Sequence, residues 1–93
     1  INVIDLHIEK LCEDWRRLSP REIFMIQCKE VQNAVELAVA LHKEQLTLIH
    51  GVGKGRLKEE IHLFLNQTKE VRKYVNQYDN RYGYGATEVF FRI

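Results

Sequence analysis

A histidine followed by glycines at alternate positions, His50-Gly51-Val52-Gly53-Lys54-Gly55, sits between an apolar run ending at Ile49 and a helically spaced segment beginning near Leu57. Alternating glycines let the backbone turn through positive φ and come close to a ligand. The unpaired N–H groups at the start of the following helix attract an anion. Lys54 and Arg56 add positive charge at the same place. The chemistry that this combination fits is the holding of a phosphate.

A second pair of reactive side chains lies near the N-terminus, where Ile4-Asp5-Leu6-His7 puts an acid and an imidazole two residues apart. The apolar residues alternate from Ile1 to Ile8, which reads as a strand, and residues at i and i+2 of a strand share a face. If that strand and the one ending at Ile49 are parallel neighbours, Asp5, His7, His50 and the glycine loop meet at the carboxyl ends of both strands. Open α/β sheets bind their ligands there.

The two motifs together resemble those of the Smr (small MutS-related) domain, whose first motif is Leu-Asp-x-His and whose second is His-Gly-x-Gly-x-Gly followed closely by a leucine. Here they read Ile4-Asp5-Leu6-His7 and His50 to Gly55, with Leu57 after them. A glycine-rich turn into the last strand, the family's third feature, is matched by Gly83-Tyr84-Gly85-Ala86-Thr87-Glu88-Val89. The chain departs from the family at Ile8 and Tyr82, where glycines are usual, and in an extra stretch from Glu9 to Leu18.

The resemblance implies a domain that binds branched or structured DNA or RNA and nicks or cuts it. Carried over by residue, the catalytic candidates are Asp5, His7 and His50. Gly51, Gly53, Lys54, Gly55, Arg56, Tyr84 and Gly85 are the candidates for holding nucleic acid. Phosphodiester cleavage needs activation of water or a ribose 2′-hydroxyl, protonation of the leaving oxygen and stabilisation of charge on phosphorus. Asp5 is expected to activate the nucleophile, directly or through a divalent cation such as Mg²⁺, and His7 or His50 to act as acid. The division of these roles among the three is open. Mg²⁺ prefers oxygen ligands, and Asp5 is the motifs' one oxygen donor, with Glu59 and Glu60 nearby in sequence. Tyr82 and Tyr84 either stack on unpaired bases or close the edge of a sheet. His42 and His62 lie outside the motifs and read as surface or helix-packing residues.

These side chains need a scaffold. Ser19-Pro20-Arg21-Glu22 is a capping box with proline at the first helical position. It opens a helix reaching about His42, with Val31, Ala34, Val35, Ala38 and Leu41 on one face. Gln45–Ile49 reads as a strand. A second helix from about Gly55 to Asn66 buries Leu57, Ile61, Phe64 and Leu65. Val71 to Tyr78 fits a helix by spacing and a strand by β-branched and aromatic content, and the family favours the strand. A turn at Asp79-Asn80 leads to a last strand with Thr87, Val89, Phe91 and Ile93 on one face. Glu9 to Leu18 reads as an amphipathic turn or short helix anchored by Trp15. The expected fold is therefore an α/β two-layer sandwich, β-α-β-α-β-β, with a mixed four-stranded sheet and two helices on one face. A right-handed crossover should join the first two strands. The family shares this fold with the C-terminal domain of a bacterial translation initiation factor.

At 93 residues the chain is one domain, able to bury roughly 60 to 70% of its unfolded surface. A start at Ile1 suggests a C-terminal domain of a longer protein, monomeric by itself, with the rest of that chain as a partner. The 45% hydrophobic and 29% charged composition is that of a globular protein, without a signal peptide or a run long enough to span a bilayer. Cys12 and Cys28 match no ligand or redox spacing and read as buried free thiols of a reducing, cytoplasmic compartment. A net charge of +1 does not identify a nucleic-acid binder, so distribution matters more. Lys54, Arg56, Lys58, Lys69, Arg72, Lys73, Arg81 and Arg92 form a basic surface only if the fold gathers them. Two readings compete with a nuclease: a non-catalytic nucleic-acid-binding module of a larger MutS-like or other host protein, and a protein-interaction domain using the open sheet face.

Overall fold

Ser19 starts the longest element in the molecule. Its hydroxyl accepts the Glu22 N–H at 3.1 Å while the Glu22 carboxylate accepts the Ser19 N–H at 2.8 Å, so the capping box closes in both directions. The computed structural model describes residues 2–92, in the order β1 (Val3–Asp5), α1 (Ile8–Leu11), a 3₁₀ turn (Trp15–Arg17), α2 (Pro20–Ala40), β2 (Gln45–Ile49), α3 (Arg56–Asn66), β3 (Val71–Val75) and β4 (Ala86–Phe91).

The strands lie in the order β1-β2-β4-β3. β1 and β2 are parallel, with Asp5 opposite Ile49, and the other two pairings are antiparallel. This is the mixed four-stranded sheet expected. Leu46 and Leu48 of β2 and Val89 and Phe91 of β4 are buried against Val31, Ala34, Val35 and Ala38 of α2 and Ile61 and Leu65 of α3. Both long helices therefore cover one face of the sheet. Leu57 and Phe64 are partly buried at the edge of that core. Each fully buried leucine or isoleucine contributes roughly 1.5–3 kcal/mol.

Several sequence expectations shift. The alternation from Ile1 to Ile8 predicts a long strand, but β1 stops at Asp5, because the Asp5 carboxylate captures the His7 N–H at 3.0 Å and turns the chain. Ile1, like Ile93 at the other end, falls outside the described residues. Ile8, where a glycine was expected, instead begins α1 with its side chain buried. Leu41 does not join the apolar face of α2 and is 58% exposed, since the helix ends at Ala40. The end is a Schellman arrangement: the Lys43 N–H donates to Ala38 and the His42 N–H to Val39, with His42 at φ 56° where glycine is usual. Trp15 is only half-buried, with the Arg16 guanidinium 4.7 Å over its ring. Cys12 and Cys28 are free but partly exposed, so they do not belong to the core.

Candidate functional site

β1 and β2 run parallel and end together, so Asp5 and Ile49 bring His7 and His50 to the same edge of the sheet. Asp5 Oδ1 lies 2.7 Å from His7 Nδ1. Burial pushes the Asp5 carboxyl up, but the His7 hydrogen bonds, the His7 ring and Lys10 outweigh it, and the net direction is down. The ionised carboxylate only accepts, so His7 Nδ1 carries the proton and donates it to Asp5. The other ring nitrogen is left free. His7 Nε2 faces the glycine loop, 3.3 Å from where a side chain on Gly51 would begin. Gly51 is therefore needed twice: its φ is 81°, and any side chain would crowd the imidazole.

Gly85 joins the loop to the start of β4. Its carbonyl accepts the N–H groups of both His50 and Gly51 at 2.9 Å, and its own N–H donates to Tyr82. A methyl group on Gly85 would lie 2.9 Å from the Tyr82 carbonyl oxygen and 3.2 Å from Gly51 Cα. Gly51 thus has no N–H left for an anion. Donors remain further along, where Gly55 at φ 83° caps α3 and the first N–H groups of that helix point outward. Lys54, Arg56 and Lys58 line the same open cavity of about 400 Å³, together with His7 and His50.

His50 is placed by a different set of bonds. Its Nδ1 is 2.8 Å from the Gly51 carbonyl and its Nε2 is 2.8 Å from Thr87 Oγ1. The carbonyl only accepts, so Nδ1 carries the proton and Nε2 accepts the threonine hydroxyl proton. Thr87 has no second proton, so His62, whose Nε2 is 2.9 Å from the same oxygen, must be the donor. One buried hydroxyl thus fixes the tautomers of two histidines. Burial lowers the pKa of both; the Gly51 bond partly offsets this for His50, and repulsion from His50 and Lys58 adds to it for His62, so both rings favour the neutral form.

His62 and Thr87 join the candidate site although the sequence motifs miss them. His62 read as a packing residue, but it stands edge-on to His50 with ring centroids 6.3 Å apart and leans on Tyr74 at 4.7 Å. A threonine at an inward position of the Thr87-Glu88-Val89-Phe90-Phe91 alternation was the one available signal that a polar partner lies inside. Tyr84 lies outside the loop cavity. It is 56% exposed and packs against Tyr78, while Asn76 holds its carbonyl and that of Ala86.

The basic residues do not gather into one surface. Arg92 donates to the Lys69 carbonyl near the start of β3, at the opposite end of the sheet from the loop. Arg72 and Lys73 lie over the Phe90 ring, and Arg81 pairs with Asp79. Only Lys54, Arg56 and Lys58 serve the loop. Among the described residues no group of three or more His, Cys, Asp or Glu side chains is arranged to hold a metal ion. Asp5 has one oxygen already bound to His7. No helix among the described residues is long and apolar enough to cross a membrane.

Residues 27–92 match the Smr domain family. The chain is 32% identical over 63 residues to the endonuclease MutS2 of Latilactobacillus sakei and 35% identical over 63 residues to that of Enterococcus faecalis. Each alignment covers 68% of this chain but 8% of the relative, so the chain spans a small fraction of those proteins. Among solved structures it is similar to the Smr domain of Thermus thermophilus MutS2, with a TM-score of 0.69, 26% identity and full coverage of both chains.

Proposed function

The chain belongs to the Smr domain family, and from that premise we propose that it binds branched or structured DNA or RNA and nicks it at the edge formed by Asp5, His7 and the glycine loop. Relatives of this chain carry the name endonuclease, which supports the chemistry. The observation that carries the reading is the Asp5–His7 pair, because it occupies His7 Nδ1 and orients Nε2 toward the loop where a phosphate is best held.

In this reading His7, not Asp5, takes the proton from water or from a ribose 2′-hydroxyl. Asp5 sets the tautomer and stabilises the imidazolium that forms. The free amides at the start of α3, with Lys54 and Arg56, hold the phosphate and offset charge developing on it. His50 is a positioning residue, since both its nitrogens are engaged and its proton is bound to Gly51. The leaving oxygen is protonated from water, because the site is open and His7 itself is 48% exposed.

The test is to titrate the domain with supercoiled plasmid, a branched duplex and a structured RNA, with and without Mg²⁺. Asp5→Asn and His7→Gln should each lower cleavage by about 10²- to 10⁴-fold with little loss of affinity. Lys54→Ala and Arg56→Ala should weaken binding across all sequences and each reduce the salt slope by about one. Salt-dependent binding without turnover would leave the domain as a clamp for nucleic acid. Cleavage that survives His7→Gln would overturn the assignment of the base.

A further inference from the structure

The loop cavity has a second wall that phosphate chemistry does not use. Ile23 and Phe24, in the first turns of α2, line it together with Gln27, and Lys54, Arg56 and Lys58 line it too. The Arg56 guanidinium lies 5.0 Å over the Phe24 ring. Gln27 donates Nε2 to the Leu6 carbonyl at 2.9 Å, which leaves its amide oxygen and second N–H for a ligand. The wall is rigid, since the capping box fixes the start of α2 and Gln27 ties that helix to the chain just beyond β1.

We infer that Phe24 and Arg56 form a subsite for one unpaired nucleobase whose phosphate rests on the glycine loop. This deepens the proposed function and rests on it. The cavity, about 400 Å³, lies in the range of roughly 300–1,000 Å³ usual for small-ligand sites. It has room for a nucleotide. Cations and helix amides match a phosphate. The Phe24 ring and the Arg56 guanidinium beside it, which can reach both a phosphate and a base, are the two kinds of side-chain surface on which splayed bases stack, and Gln27 offers both a donor and an acceptor to a base edge. Stacking tolerates any base, so the site selects for a base being unpaired more than for its identity.

The experiment compares a fully paired duplex with the same duplex carrying one additional, bulged 2-aminopurine. The wild-type domain should bind the bulged duplex more tightly and quench its fluorescence. Phe24→Ala should lose about tenfold in affinity for it, equivalent to about 1.4 kcal/mol, leave the paired duplex unchanged, and abolish quenching. Phe24→Trp should retain both properties. Phe24→Leu keeps apolar bulk beneath Arg56, so it should fold normally and still lose the preference. Equal weakening on both duplexes, or quenching that persists in Phe24→Ala, would overturn the subsite while leaving the phosphate site standing. Failure of the wild type to bind either duplex, with Lys54→Ala and Arg56→Ala equally silent, would overturn the proposed function and the subsite with it.

Discussion

Thr87 is fully buried and gives its single hydroxyl proton to His50 while taking one from His62. This arrangement makes a prediction that nitrogen NMR checks directly: near neutral pH His50 should be protonated on Nδ1 and His62 on Nε2. Replacing Thr87 by valine keeps the shape and strands two imidazole nitrogens in a partly buried place, at a cost of about 1–3 kcal/mol in denaturant unfolding. Thr87→Ser should cost clearly less. At this scale the sequence was only partly legible. Asp5, His7 and His50 stand in recognisable spacings, and the fold brings them to one edge. Their division of labour rests on which oxygen each nitrogen meets: Asp5 and Gly51 are near His7 and His50 in sequence, but the Thr87 hydroxyl lies 37 residues from His50 and 25 from His62. No local spacing encodes that.

Among the elements, beginnings were easier to read than ends. Ser19, Pro20 and Glu22 announce the start of α2 because capping is local chemistry, and the structure closes both of its bonds. The end of α2 carries no glycine, so the periodicity ran on to Leu41. His42 holds the left-handed position there at some strain. His42→Gly should therefore stabilise the protein by about 1 kcal/mol, raising its midpoint in urea without changing the slope. Gly85→Ala should act in the opposite direction, because its methyl group meets backbone atoms of both Tyr82 and Gly51, which cannot swing away as a side chain could. A loss of about 1–3 kcal/mol, with changed amide shifts along the loop, is the expected outcome. Strand β1 was overread for a related reason. Alternation continues past Asp5, but a carboxylate that captures the N–H two residues on ends a strand whatever follows.

The molecule as a whole measures 41 × 28 × 23 Å, and its ionisable groups give its stability a direction in pH. His50 and His62 are held below the ordinary imidazole value of 6.5, so the unfolded chain binds more protons than the folded one once the pH falls beneath it. Stability from these two is fully present above about 6.5 and declines as acid is added. Asp5, held below 3.8, adds a second loss at lower pH as its carboxylate protonates. A thermal melt series should show the midpoint falling from pH 7.5 to 5.5, and Thr87→Val should alter the steepness of that fall. Layer order and sheet composition were legible from motif order. The scatter of the basic residues was not, because only the antiparallel return of β3 and β4 carries Lys69 and Arg92 to the far end. The edge position of β1 has one more consequence. Three paired residues attach the arm that bears Asp5 and His7, whereas the phosphate loop belongs to the body, and Leu6, wholly buried, pins the arm down. Under the proposed function, grip and cutting would therefore reside on separately anchored parts. Leu6, remote from the loop cavity, would set how long the Asp5–His7 arm stays seated, so loosening it would leave a protein that holds its target but cuts only intermittently.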